Sequence, residues 1–148
     1  MTSNRTPTIQ IVSRGGAILF RDDAETLREV VERAVAQRVY LSGANLSSAD
    51  LSGANLSGAY LSGAIYRSIR IGARGLLKTC SRSDGYDFHL WHCEDGNPRV
   101  DAGCRWFTLP EAWLHWTETR DATALGEETF DILVMFEHHI ERINTRTV

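Results

Sequence analysis

From Leu41 to Ile65 the sequence repeats with a period of five: Leu41-Ser-Gly-Ala-Asn45, Leu46-Ser-Ser-Ala-Asp50, Leu51-Ser-Gly-Ala-Asn55, Leu56-Ser-Gly-Ala-Tyr60 and Leu61-Ser-Gly-Ala-Ile65. Internal periodicity of this kind outranks any local propensity. Five fits neither the 3.6-residue stripe of a helix nor the two-residue alternation of a strand. Leu and Ala recur together because both turn to one narrow axis, the larger filling it and the smaller letting the chain bend. Ser, Gly and Asn or Asp take the corners, where short polar side chains bond the local backbone and Gly adopts unusual φ values.

This pattern resembles the pentapeptide-repeat family. The resemblance implies a right-handed, roughly square β-helix with one pentapeptide to a side and four to a coil. Tyr60, Ile65 and Tyr66 depart from the pattern, so the last coil is expected to fade there. Coils stack at about 4.8 Å, and so short a stub needs a cap at each end.

The flanks supply candidates for both caps. The expected fold is mainly β with α, in three units: a β-hairpin and capping helix over 1–38, the β-helix stub over 39–66, and a mixed β/α unit over 67–148. Ile9–Val12 and Ala17–Phe20, joined through Ser13-Arg14-Gly15-Gly16, read as the hairpin. Asp22-Asp23-Ala24-Glu25 reads as a capping box that opens a helix. Leu27, Val30, Val31, Ala34 and Val35 give that helix one apolar stripe. In the third unit, Ser68–Ile71, Leu76–Thr79, Tyr86–Cys93, Arg99–Ala102 and Cys104–Thr108 read as a meander of strands. Thr108-Leu109-Pro110-Glu111 opens a helix bearing Leu109, Ala112, Trp113 and Trp116 on one face, and a last helix spans about Gly126–Ile143.

Charge and composition exclude more than they select. A net charge of -3 is too small for a nucleic-acid binder, and Asp50 is the only acid in the repeat. That separates this chain from long pentapeptide-repeat proteins of the quinolone-resistance type, which imitate DNA. Met1–Arg14 lacks the apolar core of a signal peptide, and no apolar run is long enough to cross a bilayer, so a cytoplasmic location is expected. Cys80, Cys93 and Cys104 are odd in number and widely spaced, which favours reduced thiols.

No constellation points to catalysis, a metal or a cofactor. Cys93, Cys104, His92 and His115 lack the paired close spacing of a zinc site, and His138 and His139 diverge by about 100° on a helix. There is no Gly-x-Ser-x-Gly elbow. Ile71-Gly72-Ala73-Arg74-Gly75 lacks the Lys-Ser/Thr of a phosphate loop.

Binding residues are easier to name. Arg70, Arg74, Lys78 and Arg82 stand four apart, so a straight strand would align them on one face. Tyr86, His89, Trp91, Arg105 and Trp106 come from adjoining strands and would complete an Arg–aromatic surface for a small anionic ligand such as a nucleotide. The competing reading of the four is an ordinary solvated strand face. A second surface is the apolar width of the last two helices, where Trp113, Trp116, Met135, Phe136, His139 and Ile140 would meet a protein partner or a second copy of the chain.

Over residues 9–143 the chain is also similar to small phage and prophage pentapeptide-repeat proteins, through Ile71-Gly72-Ala73-Arg74 and Gly103-Cys104-Arg105-Trp106-Phe107-Thr108-Leu109. That resemblance implies a non-enzymatic accessory factor that blocks a host defence, by binding a protein or by sequestering a nucleotide signal. The sequence favours protein binding slightly over the small anionic ligand.

Overall fold

The computed structural model describes residues 5–103, 105–120 and 122–146. Among these residues the fold is mixed: seven strands and three helices flank and follow a coil built from the repeat.

Each pentapeptide folds locally as a turn. The Ala N–H bonds the Leu carbonyl three residues earlier at 3.0 Å in all five repeats, from Ala44 to Leu41 through Ala64 to Leu61. In four of the turns the third position is a glycine with φ between 69° and 76°, the left-handed conformation of a type II turn. Asn45 and Asp50 fix the corners by accepting bonds from both the backbone N–H and the hydroxyl of the Ser two residues on. Leu41, Leu46, Leu51, Leu56 and Leu61 all point inward and are buried.

The coil closes on itself after twenty residues. Tyr40 bridges Tyr60 and Asn45 bridges Ile65, both in parallel, and Leu46 N–H bonds the Ile65 carbonyl at 2.8 Å. The five-residue step also runs beyond the recognisable repeat. Tyr66 takes the next inward position and is buried; the chain then reverses at Arg67-Ser68, and Ile71 N–H bonds back to the Ala64 carbonyl at 2.8 Å, so the last coil is plugged by a tyrosine and does not simply fade.

The hairpin pairs β1 (Thr8–Val12) with β2 (Ile18–Asp23). It meets the coil where Asn45 N–H bonds the Val12 carbonyl at 2.7 Å. Helix α1 (Leu27–Ala36) lays Val30, Val31, Ala34 and Val35 into the same core as the repeat leucines. Its start differs from the sequence expectation: Asp22 and Asp23 end β2, and Thr26 is the N-cap, its hydroxyl accepting from Glu29 N–H at 3.2 Å. Glu29 reaches back to Glu25 N–H. The capping-box chemistry is right but sits four residues later, because the hairpin claims both aspartates.

Five strands follow in one antiparallel sheet: β3 (Ile65–Tyr66), β4 (Ile69–Ser81), β5 (Asp87–Cys93), β6 (Arg99–Ala102) and β7 (Arg105–Thr108). Alternation splits its side chains between two cores. Trp91 and Cys93 join the core of the coil, while Phe88, Leu90, Val100 and Ala102 pack under α2 (Leu109–Arg120) and α3 (Ala124–Arg146). The core of the coil therefore crosses the expected boundary at residue 66. Cys104, read as the start of the last strand, lies outside the described residues.

β4 is one strand, not two, but its register slips. Ile71 pairs with Cys93 and Leu76 with Trp91, so five steps on β4 face two on β5, and a further slip falls between Leu76 and Lys78. Gly72 permits the first slip: a Cβ there would stand 2.4 Å from His92 Nδ1.

Candidate functional site

These slips decide the fate of the expected basic stripe. Strict alternation fails between Ile71 and Lys78, so the four cations do not form one face. Arg70 pairs with Glu94 at 3.3 Å. Arg74 borders a groove of about 370 Å³ with His92, Leu77, Ile140 and Ile143. Lys78 lines a separate groove against Leu56–Ala59. Arg82 is buried, its Nε and Nη2 on the Asp84 carboxylate at 2.9 and 2.7 Å and its Nη1 on Thr129 Oγ1.

The expected aromatic partners divide in the same way. His89 and Trp91 are fully buried on the coil-facing side of the sheet. There His89 Nδ1 lies 3.6 Å from Asp101 Oδ2. Trp106 stands edge-on to Tyr66, with ring centroids 5.2 Å apart. His89 and Trp91 are closed to a ligand at the stripe, and Trp106 is half-buried.

The protein-interface expectation also needs correction. Trp116 and Phe136 are buried in the core beneath α2 and α3. Trp113 stacks on Phe130 at 5.4 Å, and its indole N–H donates to Glu137. Met135 and Ile140 pack against that core, half-buried. His139 is half-buried too, and burial followed by the charges of Lys78, Arg142 and Arg146 lowers its pKa. The wide apolar surface of α3 is needed because the helix must cover both the sheet and α2.

What the fold does bring together is a different basic pocket. Arg82, Tyr86, Arg105, His115, Trp116, Thr119 and Arg120 enclose a cavity of about 310 Å³. Three elements build it. The β4–β5 turn, closed by Arg82 N–H to the Tyr86 carbonyl at 2.8 Å, supplies Arg82 and Tyr86. β7 supplies Arg105. Helix α2 supplies His115, Trp116, Thr119 and Arg120 at steps of one, four and five, which share a face. Thr108 caps that helix by accepting from Glu111 N–H at 3.4 Å.

Gly103 sets the wall between turn and strand. It has φ +59°, and a Cβ there would fall 2.2 Å from the Tyr86 hydroxyl, which donates to the Ala102 carbonyl. Any other residue would push Tyr86 out of the pocket.

The electrostatics of the lining are one-sided. Arg82 is neutralised by Asp84, whose carboxyl its hydrogen bonds hold down at about 2. It lies over the Tyr86 ring at 4.8 Å and acts as a rigid floor. Arg105 and Arg120 are exposed, and among the described residues neither makes an ion pair. His115 sits against the Phe107 ring at 5.0 Å and the Trp116 ring at 5.2 Å. Burial first, then the charge of Arg105, depresses its pKa, with Glu118 opposing. Of these residues, sequence reasoning had placed Arg82, Tyr86 and Arg105 in an anion site. It missed His115, Thr119 and Arg120, which the four-residue spacing of His115 to Thr119 and Trp116 to Arg120 would have joined on one helix face.

Among the described residues no three His, Cys, Asp or Glu side chains gather to hold a metal, and no helix is long and apolar enough to cross a membrane.

A family model described as pentapeptide repeats (8 copies) matches residues 32–65. This stretch is a pentapeptide-repeat segment, and the match begins inside α1, ahead of the turns themselves. No curated protein and no solved structure matches the chain.

Proposed function

We propose that this chain is a non-catalytic binding protein whose ligand is a small anion held in the pocket between β7 and α2. The observation that carries this reading is the pair Arg105 and Arg120, two cations that make no ion pair among the described residues and border one cavity whose other arginine is already neutralised. A fork-shaped guanidinium recognises carboxylate or phosphate through two parallel hydrogen bonds. The pentapeptide coil, read as right-handed and capped by the hairpin with α1 on one side and the sheet on the other, serves as scaffold. A protein-partner reading has less to stand on, because the aromatic residues expected to form that surface pack inside the chain.

Thermal unfolding with inorganic phosphate and a panel of nucleoside phosphates tests the reading. A ligand present at a hundredfold excess over Kd adds about 2.7 kcal/mol to stability. Arg105→Ala and Arg120→Ala should each abolish the upward shift without lowering the unliganded midpoint by more than surface substitutions do, roughly 0.5 kcal/mol. A shift that survives both substitutions places the ligand elsewhere, and no shift with any anion removes the reading.

A further inference from the structure

Resting on that reading, we infer that the group the pocket takes is a phosphate monoester in its dianionic form, bound by Arg105 and Arg120 with His115 as a third, protonated donor.

Several donors in the lining are already committed to partners within the chain. Arg82 spends Nε, Nη1 and Nη2 on Asp84 and Thr129. The Thr119 hydroxyl donates to the His115 carbonyl at 2.8 Å, and the Tyr86 hydroxyl donates to the Ala102 carbonyl at 2.8 Å. That leaves, among the described residues, the guanidiniums of Arg105 and Arg120, the His115 imidazole and the Trp116 indole N–H. All of them donate, so the bound group must offer acceptors and nothing else. These donor groups outnumber the two oxygens of a carboxylate, which favours a tetrahedral ester head with three terminal oxygens. Charge then separates phosphate from sulfate. A sulfate monoester carries one negative charge, which the two arginines already exceed. A phosphate monoester carries close to two above its second pKa of about 6, and offsets both.

His115 is what that second charge acts upon. The groups facing it are Arg105 from β7, Glu118 and Arg120 from α2, and Arg82 with Tyr86 from the β4–β5 side. Burial and then Arg105 lower the His115 pKa and so favour the neutral ring. A dianion between the arginines reverses the sign of the local field, so the ring takes a proton from solvent and donates to the third oxygen. Affinity should therefore rise as pH falls towards the phosphate pKa and decline below it.

The test is an NMR titration of the full-length chain, following the His115 ring and the arginine Nε–H signals, with methyl phosphate, methyl sulfate and acetate as probes. Methyl phosphate should bind on the order of tenfold more tightly than the other two, as one added charge-assisted hydrogen bond provides, and saturation should raise the His115 titration midpoint. His115→Gln should remove the preference and keep residual binding to all three. Equal binding of the three probes, with the His115 midpoint unmoved in the wild-type chain, overturns the phosphate inference and leaves an anion pocket standing. Arg105 and Arg120 signals that respond to none of the probes overturn both.

Discussion

The Tyr66 hydroxyl donates a 2.8 Å hydrogen bond to Asp101 Oδ2, and so joins the inside of the coil to the middle of the sheet. The same oxygen accepts from Leu51 N–H at 3.3 Å and from Arg67 Nε at 3.1 Å. Tyr66→Phe would strand a buried amide and weaken the setting of a buried carboxylate. The expected cost is about 1–3 kcal/mol, read as a lower urea midpoint at unchanged slope. Burial first, and then Asp101, raises the Tyr66 pKa above its usual 10.0. A raised pKa means that the folded state holds its proton longer than the unfolded chain does. Stability is then fully present below pH 10.0 and falls as pH rises towards the higher folded value. Tyr66→Phe should remove that part of the alkaline decline.

The turn after Tyr66 stores backbone strain. Arg67 and Ser68 both have positive φ, 49° and 67°, as a two-residue hairpin turn requires and as residues with a Cβ resist. Arg67 repays its cost through Tyr66, Asp101 and the Gly103 carbonyl. Ser68 is exposed. Ser68→Gly should raise stability by about 1 kcal/mol, measured as a higher thermal midpoint, and no gain would show that the turn is relaxed.

The repeat core is tight enough for single truncations to register. Leu51→Ala removes a fully buried side chain from the axis and should cost about 2–5 kcal/mol. Ser57→Ala, on an exposed corner, should stay within about 0.5 kcal/mol. Equal effects in urea titrations of the two variants would mean that the leucines do not form the axis.

The coil was legible because its signal is local: Leu and Ala every fifth residue have no other consistent explanation. Its plug was not. Tyr66 looks like a departure from the repeat until the step is counted once past the last leucine, where Tyr66 still falls on it. The basic stripe misled for a physical reason. Alternation holds only while register holds, and three extra residues on β4, starting at a glycine packed under His92, are not visible in a spacing of four. The actual pocket joins a turn, a strand and a helix that lie far apart in sequence. Only tertiary packing places Arg105 beside His115 and Arg120.

Asp84 offers a test of the pocket floor. Its pKa is held at about 2, against an ordinary 3.8, chiefly by the Arg82 hydrogen bonds. A depressed carboxylate stabilises the fold above its unfolded pKa and loses that contribution as pH falls through the folded value. The affected window runs from pH 3.8 down to about 2. Asp84→Asn should flatten the stability curve there and loosen Arg82 from Thr129, seen as faster exchange of the Arg82 Nε–H. An unchanged acid limb would separate this pair from stability.

Whether the Arg105–Arg120 pocket takes an anion can be read from arginine side-chain NMR during titration with inorganic phosphate. The Arg105 and Arg120 Nε–H signals should shift together and saturate, with Arg70 and Arg74 unmoved because they stand elsewhere on the sheet. Shifts spread evenly over all exposed arginines, or none at Arg105 and Arg120, would contradict anion binding there.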